Sequence, residues 1–294
     1  TYTNIGEANN RGIEMNLEWR DKTESGFEYN VGVNMSTIRN RMTKLNGGTP
    51  ISDGPFRNGS MYLTYTNEGM PIGAFWGYKT DGLIQTQEQL NAVKRADFQP
   101  NAELGDVLFV DTNGDGKLDS SDRCMIGNPI PDIIYGINMG MAWKGFDLNL
   151  QFGGTIGNQI FNAMRYYTYF PNDITNKDRA LMNYWTPNNT NTDIPRLTAT
   201  DVNDNDRFSD MYVENGTYFR LRNAQLGYTL PASLTQRIKL QKVRFYVSGQ
   251  NLFTISSYSG MDPEVGQSSS LSRGIDYGIY PQNISFTGGI NVTF

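Results

Sequence analysis

The chain has 294 residues, with 25 Lys plus Arg against 30 Asp plus Glu, a formal charge of −5 and no His. A mildly acidic chain without a basic block argues against a nucleic-acid partner, and the lack of His removes Ser-His-Asp and Cys-His catalysis together with His-ligated zinc. The one Cys, Cys124, cannot form an intrachain disulfide, and 17 Tyr, 15 Phe and 31 Gly favour a turn-rich all-β chain.

No apolar run of about 18 residues occurs, so no transmembrane helix is expected. A spanning β-strand needs only about 9–11 residues, apolar at alternate positions. Such alternation dominates this chain. Residues 11–20 place Ile13, Met15, Leu17 and Trp19 on one face against Glu14, Asn16 and Glu18. Residues 26–37 set Phe27, Tyr29, Val31, Val33 and Met35 against Glu28, Asn30 and Asn34. Segments 132–143, 145–154, 217–230, 242–253 and 283–294 repeat the pattern. In 217–230 the phase changes near Asn223, the signature of a bulge. Residues 2–5 and 61–66 are the two places where a further strand could lie. A helix is expected over 86–98, where Thr86 and Gln89 have capping-box spacing. A short amphipathic stretch, 177–185, ends before Pro187.

Connections between the seven strands alternate between short and long. Residues 21–25, Lys144 and 231–241 are short; 38–131, 155–216 and 254–282 are long. Outer-membrane barrels have this asymmetry, with short periplasmic turns and long extracellular loops. The fold expected is therefore an all-β, antiparallel transmembrane β-barrel segment with long extracellular loops. With the long loops outside, Phe294 ends in the periplasm, and counting back over seven strands starts the chain outside. Bacterial single-chain barrels have even strand numbers, so residues 1–294 are expected to be the C-terminal portion of a larger barrel, with its plug and earlier strands absent. Outer-membrane lipid then covers the apolar faces, and Trp19 and Trp143 fall at the periplasmic interface.

Two features carry candidate binding chemistry. Residues 111–122 match the D-x-N-x-D-G core of a calcium loop, with oxygens of Asp111, Asn113 and Asp115 converging on a hard cation and Gly116 permitting the turn. Lys117 would offer its carbonyl, and Asp119 and Asp122 take positions nine and twelve, where Asp122 is one methylene shorter than the usual Glu. A solvated Asp/Gly turn is the plain alternative. The aromatic clusters around Trp76 and Tyr78, and around Tyr166, Tyr167 and Tyr169, could stack on sugar rings or anchor peptides; loop packing is the plain alternative. There is no G-x-S-x-G, Walker loop or dinucleotide fingerprint, and no catalytic residue is assigned.

Taken together, several segments resemble the C-terminal half of SusC/RagA-type TonB-linked outer-membrane transporters of Bacteroidetes. They are Asn10-Arg11-Gly12-Ile13-Glu14; Glu68-Gly69-Met70-Pro71-Ile72-Gly73 followed by Trp76-Gly77-Tyr78; Gly105-Asp106 leading into Asp111-Thr112-Asn113-Gly114-Asp115-Gly116; and Ile126-Gly127-Asn128-Pro129. Further along come Tyr184-Trp185-Thr186-Pro187 with Pro195-Arg196, Tyr218-Phe219-Arg220-Leu221-Arg222 with Leu226-Gly227-Tyr228, Gly249-Gln250-Asn251-Leu252-Phe253 with Gly260-Met261-Asp262-Pro263-Glu264, and the terminal Asn291-Val292-Thr293-Phe294. The resemblance implies a large plugged barrel, capped outside by a SusD-like surface lipoprotein. A TonB complex would drive it through the N-terminal part, and it would import an oligosaccharide or a peptide across the outer membrane. The rival readings are a secreted calcium-dependent glycan-binding β-domain and a stand-alone adhesin-type barrel.

Overall fold

The computed structural model describes residues 6–57, 59–170, 176–266 and 269–294; the candidate strand at 2–5 lies outside them. Seven strands form one antiparallel sheet: β1 (Glu14–Lys22), β2 (Glu28–Thr37), β3 (Ile133–Trp143), β4 (Phe146–Ile156), β5 (Tyr218–Thr229), β6 (Lys242–Ser256) and β7 (Ser285–Thr293). Their spatial order is β7-β6-β5-β4-β3-β2-β1, so each strand neighbours its sequence neighbour, as in an up-and-down barrel wall. All seven correspond to the alternating segments of the sequence. The tight turn at Lys144–Gly145 works because both residues adopt positive φ, at 48° and 89°.

Register joins the apolar rows into one face. Trp19 pairs with Val31, Val31 with Met139 and Met139 with Leu150; Leu226 pairs with Leu148 and with Val247. Among the described residues nothing covers this face. Leu17 is 60% exposed, Val247 60% and Phe286 78%. A water-soluble glycan-binding domain would bury these side chains against a second layer, so the secreted-domain alternative is not the arrangement found. The other face carries Asn30, Asn34, Asn138, Asn149, Gln151 and Ser248.

The expected bulge is present. The β4–β5 register slips between Gln151–Asn223 and Phe152–Leu221, leaving Arg222 as the extra residue. Below it Leu226 and Ala224 lie on the apolar face; above it Leu221 and Phe219 do, and Arg220 turns to the polar face beside Gly153.

The buried core lies outside the sheet, in the long connections. One cluster gathers Phe56, Leu63, Phe75, Phe161, Tyr166, Phe208, Tyr212 and Ile275 from all three long segments. A second joins Leu83, Phe98, Val107, Phe109 and Trp185. The 61–66 segment is a strand, in a four-stranded sheet with Ile51–Phe56, Ala74–Gly77 and Cys124–Gly127. Helix α1 (Gln87–Arg95) has Thr86 as N-cap with both capping-box bonds to Gln89. The 177–185 stretch becomes a 3-10 turn, Arg179–Asn183, capped by Asp178. A second helix, α2 (Ala163–Tyr169), was not expected from the sequence.

Candidate functional site

The loop assembly is fixed by charged partners far apart in sequence. Asp106, fully buried, receives Arg196 Nε at 2.6 Å and Asn205 Nδ2 at 3.0 Å. Beside it, the Trp185 ring lies on Gly105, where an added Cβ would come within 2.2 Å of a ring carbon; the residue also has φ +86°, so glycine is required twice over. On the polar face of β5, Arg220 is 2% exposed. Its guanidinium donates to Asp262 at 2.5 Å, Glu264 at 2.9 Å and Thr254 Oγ1 at 2.8 Å, and Arg222 adds a second bond to Glu264. The segments 105–106 and 184–196 are thus two halves of one clamp, and 220–222 with 262–264 form another.

The aromatic candidates divide. Trp76 stacks on Tyr65 at 4.6 Å and is half-buried. Tyr78 packs edge-on against Phe109, with Arg207 over its ring. Gly77 between them touches the Phe208 carbonyl so closely that a Cβ would come within 2.5 Å. Tyr166 is 5% exposed, packs on Phe56, Phe170 and Tyr212, and its hydroxyl joins Arg57 at 3.0 Å and Asp206 at 3.2 Å. Burial pushes its phenol far above the usual tyrosine range. Tyr167 is half-buried against Phe56. Helix α2 turns the Tyr166 ring into the loop core.

Tyr169 lines a cleft of about 300 Å³ together with Asn162, Arg165, Asp178, Met261 and Asp276. Asn162 caps α2 through Arg165 N–H at 2.9 Å and donates to Glu214 at 2.9 Å and Ser259 at 3.1 Å. The Arg165 guanidinium lies 4.9 Å from the Tyr169 ring centroid and pairs with Asp193, while its Nε has no hydrogen-bond partner among the described residues. Asp276 accepts the Tyr258 hydroxyl at 2.6 Å, and burial drives that phenol well above its ordinary range. Sequence reasoning missed Asn162, Arg165 and Asp276. Only Asn162 left a local signal, as a cap-type residue ahead of α2.

In the 111–122 loop the oxygens are held by the loop's own N–H groups. Asp111 accepts from Gly114 at 2.7 Å and Gly116 at 2.9 Å, Asp115 from Lys117 at 2.8 Å, and Asn113 from Asp115 at 2.9 Å. The Gly116 N–H, foremost, holds the Asp111 carboxyl below its usual range. Asp119 caps the 3-10 turn Ser120–Asp122 and is lowered by the Ser121 N–H. Asp122 is buried and accepts from the Thr112 and Asp119 N–H groups. Lys117 is exposed. Among the described residues no three His, Cys, Asp or Glu side chains converge as a ready metal cage. The donor type still suits a hard cation, since each carboxylate oxygen that accepts one N–H keeps a second lone pair.

No family model matches the chain. Relatives match across its length. TonB-dependent receptor P3 of Formosa agariphila is 37% identical over 99% of the chain and 29% of that protein's length. TonB-dependent receptor SusC of Bacteroides thetaiotaomicron is 27% identical over 99% of the chain and 27% of its own length. Among solved structures, the RagAB peptide transporter superposes with a TM-score of 0.76 at 24% identity, over 99% of this chain and 29% of that one, which establishes the barrel fold. The chain thus spans less than a third of the length of these relatives, which are named as receptors and a transporter rather than enzymes. With its strand order, uncovered apolar face and near-complete match, the chain is similar over almost all of its length to one segment of SusC-like TonB-dependent receptors, and it shares the barrel fold of the RagAB transporter.

Proposed function

We propose that this chain forms wall strands and extracellular loops of an outer-membrane importer that works with a SusD-like surface lipoprotein and draws energy from the TonB complex. The sheet would be the C-terminal arc of the barrel. Its two edges, β1 and β7, would pair with strands lying outside the chain, since an open apolar edge is not stable in lipid. The observation that carries this reading is the uncovered apolar face shared by all seven strands. Trp76, Tyr78 and Tyr167 belong to the loop surface through which the lipoprotein and substrate would approach.

The substrate would be an oligosaccharide engaged at the Tyr169 cleft, where an aromatic ring stands among Asn162, Asp178 and Asp276. The second reading is a peptide, favoured by the Arg165 guanidinium that lines the cleft beside Tyr169 and suits a carboxylate. Uptake of labelled neutral oligosaccharides and of peptides by cells carrying the full-length receptor separates the two. Arg165→Ala should abolish peptide uptake selectively if peptide is the cargo, and Tyr169→Ala should depress glycan uptake if it is not. Failure of the full-length receptor to fractionate with the outer membrane, or to co-purify with a surface lipoprotein, sinks the importer reading.

The 111–122 loop would take Ca²⁺ through Asp111, Asn113, Asp115 and Asp122, with the Lys117 carbonyl and Asp119 completing the set. The ion would stiffen the loop. Ca²⁺ should protect residues 111–122 from proteolysis relative to a chelator, and Asp111→Asn should remove that difference.

A further inference from the structure

Beyond the top of the sheet, β1 and β2 continue upward as a two-stranded ribbon, Gly6–Arg11 paired with Arg39–Leu45. The register is continuous: Glu14 faces Ser36, Thr37 N donates to Ile13 O, and Arg11 faces Arg39. Parity is therefore preserved. The apolar row Trp19, Leu17, Met15, Ile13 continues into Arg11 and Asn9, and the neighbouring row Val31, Val33, Met35, Thr37 continues into Arg39 and Arg41. The opposite face of the ribbon is turned to the loops, where Met42 is buried and Asn40 accepts Ile72 N–H at 2.8 Å.

Three guanidiniums thus share one exposed face around a depression of about 500 Å³ that also includes Asn9, Thr43 and Gly69. None forms an ion pair among the described residues. Arg11 Nε reaches only the Asn9 side chain, at 3.2 Å.

Position identifies the partner. On β3 the apolar row runs from Ile133 to Trp143. That is roughly 33 Å along the strand, or about 25 Å of height at a barrel tilt of about 40°, the height of a lipid-facing band. Its upper end, Ile133, is in register with Thr37. Arg11 and Arg39 follow Ile13 and Thr37 by two residues, about 7 Å along the strands. The charged face therefore starts where the apolar band stops and points the same way. The geometry points to a docking surface for the phosphate-bearing head groups of outer-leaflet lipid, with Arg11, Arg39 and Arg41 as the phosphate ligands. This rests on the membrane reading above.

The test uses the full-length receptor in phosphatidylcholine nanodiscs containing trace labelled lipid A, either phosphorylated or treated with phosphatase. The triple variant R11A/R39A/R41A should lower retention of phosphorylated lipid A on the order of a hundredfold, at roughly a fivefold loss per basic residue near a charged surface. Retention of the phosphatase-treated lipid should not change, and the R11K/R39K/R41K variant should recover most of the loss. Equal retention by wild type and the alanine variant overturns the proposal. Displacement of the lipid by inorganic phosphate at matched concentration would mean a free-anion site and also overturns it. So would loss of a co-purifying acidic protein with lipid retention intact. Heat-modifiable gel migration in plain phosphatidylcholine reads barrel insertion separately: failure there sinks the membrane reading, whereas normal insertion with unchanged retention sinks this inference alone.

Discussion

Replacing Asp262 with Ala should release the 257–284 segment from the barrel wall. Arg220 and Asp262 are 2% and 5% exposed, and their contact is 2.5 Å. With charge centres about 4 Å apart and an effective dielectric of about 20, the lost attraction is roughly 4 kcal/mol. Removing one member of a buried pair typically costs about 3–5 kcal/mol, because the other charge stays buried without a partner. Glu264 remains on Arg220 at 2.9 Å and keeps the loss toward the lower end. Hydrogen exchange of the full-length receptor should show protection across 257–284 falling on the order of a hundredfold or more, with the β3–β4 hairpin unaffected. The double variant Arg220→Met/Asp262→Leu, which leaves no orphan charge, should be milder than Asp262→Ala alone. If Asp262→Ala leaves exchange unchanged, or the double variant is the worse of the two, the ion pair does not hold the loop.

The same carboxyl sets a pH limit. Burial opposes its charge, but the N–H groups of Gln282 and Glu264 together with Arg220 outweigh it and hold Asp262 below its usual range. A depressed carboxylate stabilises above the unfolded value and ceases to as pH falls through the folded one. Loop protection should therefore be constant from neutral pH down to the ordinary carboxylate value of 3.8 and decline only below it. Gly105→Ala forces a Cβ to 2.2 Å from the Trp185 ring at φ +86°; a cost of about 1–3 kcal/mol should appear as faster proteolysis of 184–196. Val247→Arg puts a charge in the middle of the apolar face and should destabilise the folded receptor in bilayers by about 2–4 kcal/mol, whereas Ser248→Arg on the polar face should cost far less, as read by urea titration.

The seven wall strands were legible because one medium on each face forces a period of two, and no helix shares that period. The ribbon strand Gly6–Arg11 was not, since Gly6, Glu7, Ala8, Asn9, Asn10 and Arg11 contain no apolar alternation; pairing to Arg39–Leu45 makes it a strand. Ile51–Phe56 was hidden by Gly54 and Pro55, which it tolerates as the edge of its sheet. Helix α2 was hidden by its own residues, because Tyr166, Tyr167 and Tyr169 favour strands and only core packing makes them helical. Of the candidate site, Tyr169 was named from the sequence. Its cleft partner Asp276 was not, since a contact spanning more than a hundred residues leaves no local pattern, and Arg165 was missed because its i,i+4 relation to Tyr169 exists only once 163–169 is helical.

The extra residue at Arg222 divides β5 into two stretches of opposite frame. Remove it, and the guanidinium of Arg220 would swing from its carboxylates toward hydrocarbon, while Phe219 and Leu221 would swing toward the lumen. A one-residue deletion here therefore exchanges oil for water along the whole upper third of the strand. Length variation among relatives should therefore be absent from this strand.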